Sequence, residues 1–316
     1  MRARIGLLGC GTVGRGFVQL VDRERERIRA RTGVELEISK ILVRDVDKPR
    51  GVDRALLTTS ALDVIDAEVD VVVELVGGVH CAGAYVRRAI DLGRHIVTAN
   101  KALLAAEGRE LFAAGRRRGV RIGFEASVCG GVPVVRALQR GLAGDSIESI
   151  AAILNGTCNY VLTRMEDDGL DFDDALAEAQ AKGFAEADPA LDIDGHDAAQ
   201  KLRILAGVAF DAPVRSVRVH GIRDVTLAEV EGARSRRSVV RHVATARRVG
   251  GGVELRVERR ELPEQHPLAA AKGENNAVLV RGRAVGEMLF AGKGAGSLPT
   301  AAAVLSDVVE ITAQFT

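Results

Sequence analysis

Apolar and polar positions alternate in two distinct rhythms along this chain. Over the first 125 residues, short apolar runs at Arg4–Leu8, Glu37–Val43, Val69–Leu75, His95–Thr98 and Val120–Phe124 predict strands. Between them, Gly14–Ala30, Ala82–Leu92 and Leu103–Arg118 repeat their apolar residues every three or four positions and predict helices. Strands that alternate with helices in this way build a parallel sheet covered on both faces. After Pro133 the rhythm changes. Ser146–Leu154 predicts a strand, Gly156–Glu166, Phe172–Lys182 and Gly195–Phe210 predict helices, and Val239–Arg247, Val253–Arg260 and Ala277–Arg283 predict further strands. The tail, Ser297–Ile311, is apolar-periodic with Pro299 near its first turn, as a helix start tolerates. The expected fold is α/β: a Rossmann-type doubly wound parallel sheet over residues 1–133, completed by 294–316, and a second α+β domain over 134–293.

Composition narrows the function. The 316 residues carry 44 basic and 43 acidic side chains, a formal charge of +1, which gives no electrostatic case for nucleic acid or an anionic membrane. Aromatics are 3% and tryptophan is absent, so stacking platforms for single-stranded nucleic acid are disfavoured. No apolar run approaches the ~20 residues of a bilayer span, and Met1 runs straight into a strand without a cleavable leader; the expected location is cytoplasmic. Cys10, Cys81, Cys129 and Cys158 show no metal spacing and are expected as reduced thiols. Arg234–Arg241 is arginine-rich and is expected as a solvated helix face. Of the basic residues only seven are lysine, so each lysine invites a question.

Three segments carry chemistry. Gly9-Cys10-Gly11-Thr12-Val13-Gly14 follows a strand and opens a helix, the context that makes G-x-G-x-x-G a dinucleotide fingerprint. Gly9 permits the tight turn, Gly11 lets the main chain approach a pyrophosphate, Gly14 permits close helix packing, and the helix start with Thr12 and Val13 offers N–H groups to the anion. The second strand ends in Arg44 and then Asp45; the arginine suits a 2′-phosphate and favours NADP(H), while Asp45 leaves NAD(H) open. Thr98-Ala99-Asn100-Lys101 lies at the carboxyl edge of a strand, where open α/β sheets bind ligands. The other segment, Glu186 to Lys201, places five carboxylates before one lysine, with Asp197 and Lys201 four apart on one helix face. Apolar neighbours lower a lysine's pKa and carboxylates raise it, so this spacing fits either a proton-transferring amine or an exposed ion pair.

These residues resemble the homoserine dehydrogenase family. The likeness runs through Gly9–Gly14, Val71–Leu75, Thr98–Leu104, Phe124–Val128, Ile153–Tyr160, Glu178–Gln180, Glu186–Lys201 and Gly292–Asp307, nearly the whole chain in order. It implies interconversion of L-homoserine and L-aspartate 4-semialdehyde by hydride transfer, in threonine and methionine biosynthesis. It further implies Lys201 as proton donor with Lys101 beside the nicotinamide, and Glu186, Asp192 and Asp197 around the substrate ammonium. Donors near Gly156 and Thr157 would take the substrate carboxylate. The cofactor would meet Gly9, Gly11, Thr12, Val13, Gly14, Arg44, Thr98, Lys101, Gly294 and Gly296. A monovalent metal, usually sodium, would take the Glu125 carboxylate and the carbonyls of Val128, Gly130 and Val132. Cys129 stands where the family commonly has glycine, and Lys293 where proline is frequent. The resemblance also implies a homodimer formed by the β-rich part of the second domain, and a short form without an appended regulatory domain. Two rival readings are an NADP-binding sensor without turnover and a semialdehyde dehydrogenase using Cys129 as nucleophile.

Overall fold

Six short strands assemble first: β1 (Arg2–Leu8), β2 (Glu35–Leu42), β3 (Leu57–Thr58), β4 (Val71–Glu74), β5 (His95–Thr98) and β6 (Ile122–Gly123). They pair in parallel in the order β3-β2-β1-β4-β5-β6, the doubly wound arrangement that the alternating apolar runs predict. Alternate side chains of the strands feed opposite faces. On one face Ile5, Leu7, Val71 and Val73 pack against Phe17, Leu20 and Val21 of the helix Thr12–Thr32 and against Ala301, Val304 and Val308 of the terminal helix Ser297–Thr312. On the other face Leu8, Val72 and Ile96 meet Val86 and Ile90 of the helix His80–Asp91 and Leu103 and Leu111 of the helix Lys101–Arg118. The computed structural model describes residues 1–210 and 212–315; Asp211 and Thr316, which fall within the two expected domains, lie outside the described residues. These elements form one compact unit, Met1–Gly131 with the terminal segment from Gly296, and Val132–Ala295 forms another.

The second unit holds β7 (Ile147–Ile153), β8 (Val214–Val219), β9 (Ser238–Val249), β10 (Gly252–Pro263), β11 (Asn275–Gly282) and β12 (Gly286–Lys293), ordered β12-β11-β7-β9-β10-β8. All neighbours are antiparallel except β10 and β8. Two of these strands, β8 and β12, lie at the sheet edges and were not anticipated, because their largely exposed residues lack the alternation that a half-buried strand shows. Helices Gly156–Asp168 and Phe172–Ala181 bury Val161, Leu162, Met165, Ala175 and Ala179 in one core with Ile193, Ile222 and Val240.

The arginine-rich stretch corrects the sequence expectation. The helix Leu227–Ser235 ends before most of it; Arg237 adopts a left-handed turn, and Arg241 lies within β9 with no exposed surface. Its Nη1 donates to Glu166 Oε2 and to the Val240 carbonyl, and its Nη2 donates to the Ala269 carbonyl at 3.1 Å. Burying a guanidinium is tolerable only with such a set of acceptors. Arg241→Met strips Glu166 of one of its two cations, Lys272 being the other at 3.2 Å. Breaking a buried pair from one side costs about 3 kcal/mol, and a lower urea midpoint at unchanged slope is the expected reading.

Candidate active site

The first strand delivers the glycine-rich turn to the carboxyl edge of the parallel sheet. Gly9 has φ +101° and a Cβ there would stand 2.8 Å from the Leu75 carbonyl oxygen, so only glycine fits. At Gly14 a Cβ would come 2.2 Å from the Gly9 carbonyl oxygen, which ties the start of the helix to the turn. Around Gly11 the same position opens on clear space. Gly11 is the N-cap, and the helix carries no acidic residue in its first turn. An N-terminus with open approach and no carboxylate suits an anion, so the residues present fit a dinucleotide pyrophosphate. Thr12 and Val13 begin this helix, whose Thr12 carbonyl accepts from Ser297 Oγ at 2.8 Å. Gly296 has φ +119° and introduces the terminal helix, whereas Gly294 is buried against Asn276, where a Cβ would overlap the amide oxygen. That clash gives position 294 a packing reason for glycine independent of any cofactor.

Arg44 and Asp45 are both exposed just past β2. Arg50, which the sequence reading missed, reaches back over the same loop: its Nη1 donates to the carbonyls of Asp45 and Lys48, each at 2.7 Å. Burial pushes the Cys10 thiol up in pKa, and the Arg50 and Arg15 guanidiniums pull it partly back, so both cations stand close to the glycine-rich turn. No sequence signal marked Arg50, because loop geometry rather than spacing brings it there.

Further along the same edge, Thr98 ends β5 and Lys101, half-buried, begins the next helix. The following turn, Glu125–Ser127, is buried; Glu125 is 3% exposed and its main-chain N–H donates to Asp307 Oδ2 at 2.8 Å. Val128 is fully buried, and Cys129 and Gly130 are both left-handed, with φ 57° and 46°. The buried Glu125 carboxylate is a hard-oxygen donor, the kind that a monovalent cation takes. Val132 opens the second unit and its carbonyl accepts the Val134 N–H at 2.8 Å. Among the described residues no group of three or more His, Cys, Asp or Glu side chains is arranged to hold a metal ion.

In the second unit the chemistry concentrates. Lys201 and Asp197 lie one turn apart on the helix His196–Ala209, as their spacing predicts, but they are buried, with side chains 13% and 4% exposed. Lys201 Nζ donates to Asp197 Oδ2 and to the Leu154 carbonyl, both at 2.8 Å. Gly195 has φ +86° and precedes the helix; a Cβ there would press on Val219 and on the His242 ring. Glycine therefore sets the turn that delivers Asp197. Opposite, Asn155 leaves β7 and caps the helix Gly156–Asp168, its Oδ1 accepting the Cys158 N–H at 2.8 Å. Its Nδ2 donates to Asp192 Oδ1 at 2.7 Å and to Asp197 Oδ2 at 2.8 Å, so one amide holds two carboxylates together. Thr157 Oγ1 donates to the Phe184 carbonyl at 2.7 Å and lies 3.3 Å from Asp192 Oδ2, while Gly156 opens the helix against the Glu274 carbonyl.

Burial, and then the charge of Asp197, raise the Asp192 carboxyl above its ordinary range; Asn155, Lys201 and Thr157 draw it back. Lys201, Asp197, Asp192, Gly156 and Thr157 thus share one cluster. Glu186 is exposed, and the contact it makes is through its main-chain carbonyl, which accepts from Gln180 Nε2 at 3.1 Å. Asn155 was missed as a site residue, although asparagine directly before a predicted helix is a readable cap signal. Cys129 and Cys158 are both buried, where a nucleophile requires exposure, and burial pushes the Cys158 thiol well up in pKa.

Comparison with known proteins identifies the family. Residues 9–125 match the family described as homoserine dehydrogenase, NAD binding domain, and residues 133–309 match homoserine dehydrogenase. The homoserine dehydrogenase of Bacillus subtilis is 43% identical over 313 residues, spanning 98% of this chain and 72% of the relative. The crystal structure of a homoserine dehydrogenase from Thiobacillus denitrificans superposes with a TM-score of 0.96 at 45% identity, covering 100% of this chain and 74% of that one. A hyperthermophilic archaeal homoserine dehydrogenase in complex with NADPH gives 0.85 at 28% identity, covering 100% and 99%. By these likenesses the chain belongs to the homoserine dehydrogenase family, oxidoreductases that act on a CH–OH group with a nicotinamide cofactor.

Proposed function

We propose that Lys201 is the acid and base of the reaction, and that the cluster it forms with Asp197, Asn155 and Asp192 receives the substrate; the fixed, buried lysine carries this reading. A nicotinamide cofactor, when bound, would supply the hydride that reduces the aldehyde carbon of L-aspartate 4-semialdehyde. As that bond forms, the carbonyl oxygen gains charge, and Lys201 delivers a proton to it to give the hydroxyl of L-homoserine. In the oxidation direction Lys201, or a water it orients, takes the hydroxyl proton. Its two acceptors hold the ammonium in place, so little reorganisation accompanies transfer. Asp192, half-buried, and Asp197 accept from the substrate ammonium, with Glu186 at the rim. N–H groups at the start of the helix beginning at Gly156 and Thr157 receive the substrate carboxylate. Lys101, with Thr98, lies at the edge that holds the nicotinamide and stabilises charge there.

Asp192 gives this reading a pH signature. Its carboxyl must be ionised to hold the substrate ammonium, and its pKa is raised, so the acid limb of kcat/KM for homoserine should fall at higher pH than an ordinary carboxylate would set. Asp192→Asn should raise KM and remove that limb. Stability moves the other way: the folded state favours protonated Asp192, so this contribution is present at low pH and is lost as pH rises through the raised value. A limb that persists in Asp192→Asn assigns it elsewhere.

The preferred cofactor on this reading is NADP(H), its 2′-phosphate met by Arg44 with Arg50 close by, and NAD(H) serves less well. Initial rates with NADPH and NADH side by side should favour NADPH by about tenfold or more, one charge-assisted contact being worth about 1.5–3 kcal/mol; equal rates would remove Arg44 from the cofactor site. Sodium is the expected cation at Glu125 with the carbonyls of Val128 and Gly130. The expected assembly is a homodimer built on the β-rich sheet, supported by edge strand β12, which exposes Met288 and Leu289, with Val285 exposed just before it. Among the described residues no helix is long and apolar enough to cross a membrane; a cytoplasmic location completes the reading.

A further inference from the structure

Glu74 is a buried carboxylate to which no role has been given. It ends β4 at the carboxyl edge of the parallel sheet and has no exposed surface. Its Oε1 accepts the main-chain N–H groups of Val76 at 2.9 Å and Gly77 at 3.0 Å, and its Oε2 accepts the Thr98 hydroxyl at 2.6 Å. Thr98 Oγ1 in turn accepts the Asn100 N–H at 3.0 Å. Asn100 spends its side chain on both sides: Nδ2 donates to the Gly78 carbonyl at 2.7 Å, and Oδ1 caps the helix by accepting the Leu103 N–H at 3.1 Å. Lys101 is the next residue, the first of that helix.

The direction of each bond is fixed by its donors. Three neutral donors point at Glu74, which suits an acceptor-only carboxylate. The single Thr98 proton is committed to Glu74, which leaves its oxygen to receive Asn100. From the sheet edge one continuous, one-way chain runs to Asn100, the residue bonded directly to Lys101. A folded edge needs some way of satisfying its main chain, but this chain ends on the residue immediately before Lys101, the lysine assigned above to the nicotinamide edge.

We propose that Glu74 is a positioning residue: through Thr98 and Asn100 it fixes the main chain at Lys101, and so the place of the lysine's amine. The proposal rests on the role given to Lys101 above. Glutamine at 74 cannot reproduce the chain. With its oxygen toward Val76 and Gly77, its amide donates to Thr98 and leaves the Thr98 proton without its acceptor; flipped, the amide faces two N–H donors. A displacement of about 1 Å at a reacting group is worth up to about a hundredfold in rate.

A double-mutant cycle separates positioning from general stabilisation. Glu74→Gln should lower kcat, at saturating NADP⁺ and homoserine, by about tenfold in the otherwise unaltered enzyme, and by less than about twofold when Lys101 is already alanine. Thr98→Val, run in the same cycle, cuts the chain one link nearer the lysine and leaves the Val76 and Gly77 bonds intact; it keeps the test decisive if Glu74→Gln does not fold. Equal losses on both backgrounds would overturn the proposal while leaving Lys101 its role. A Lys101→Ala enzyme with undiminished kcat would instead remove the role of Lys101, and the proposal with it.

Discussion

Gly14→Ala should abolish measurable cofactor binding, whereas Gly11→Ala should weaken binding in a protein of unchanged stability. The two glycines are three residues apart and face different constraints. At Gly14 an added Cβ would sit 2.2 Å from the Gly9 carbonyl oxygen, far inside van der Waals contact, and the obstacle is main chain that also forms the phosphate turn. The helix start and the turn must separate. A misfit of about 4 kcal/mol, equivalent to about a thousandfold in cofactor Kd, is the expected scale. At Gly11 nothing of the protein lies within 4 Å of the added atom, so folding has no reason to resist it. What the methyl obstructs is the approach of the pyrophosphate. Cofactor fluorescence titration with thermal unfolding on the same samples checks both: Gly14→Ala should move both readings, Gly11→Ala the first alone. Unchanged affinity in Gly11→Ala would place the pyrophosphate elsewhere.

Lys201→Arg and Lys201→Met should both lose turnover by about a hundred- to ten-thousandfold, the usual range for a removed general acid. Cofactor affinity should be retained in both. The arginine variant is the more informative of the two. It keeps a positive charge opposite Asp197, so the buried carboxylate is not left alone, yet a guanidinium does not give up its proton at any working pH. If Lys201 served only to neutralise Asp197, arginine would preserve much of the rate. Near-normal turnover in Lys201→Arg therefore reduces the lysine to a counter-ion.

The parallel sheet was legible because five of its six strands are short apolar runs bounded by turns and its long helices keep a 3.6-residue period, whereas the two-residue β3 is too short to show a pattern. The glycine-rich turn was legible because three glycines at fixed spacing meet three separate steric demands. Asp197 and Lys201 were found by helical spacing alone, but spacing does not reveal burial, and their small exposure sets them apart from an exposed surface pair. Asn155 and Glu74 escaped attention because each acts on residues distant in sequence, Asn155 on Asp192 and Asp197 and Glu74 on Thr98, and Arg50 because loop geometry rather than spacing turns it back onto Asp45 and Lys48. Arg241 was misjudged because clustered arginines are usually solvated, and only the partners Glu166 and Ala269 make its burial possible. Edge strands β8 and β12 were missed since an exposed edge carries no apolar alternation.

The most direct measurement mixes the purified protein with L-homoserine and NADP⁺ and follows the absorbance of the reduced cofactor while identifying the carbonyl product. The account predicts reduction that depends on homoserine, yields L-aspartate 4-semialdehyde in equal amount, and disappears in Lys201→Met while NADP⁺ still binds. Cofactor binding without homoserine-dependent reduction in the unaltered protein would contradict it.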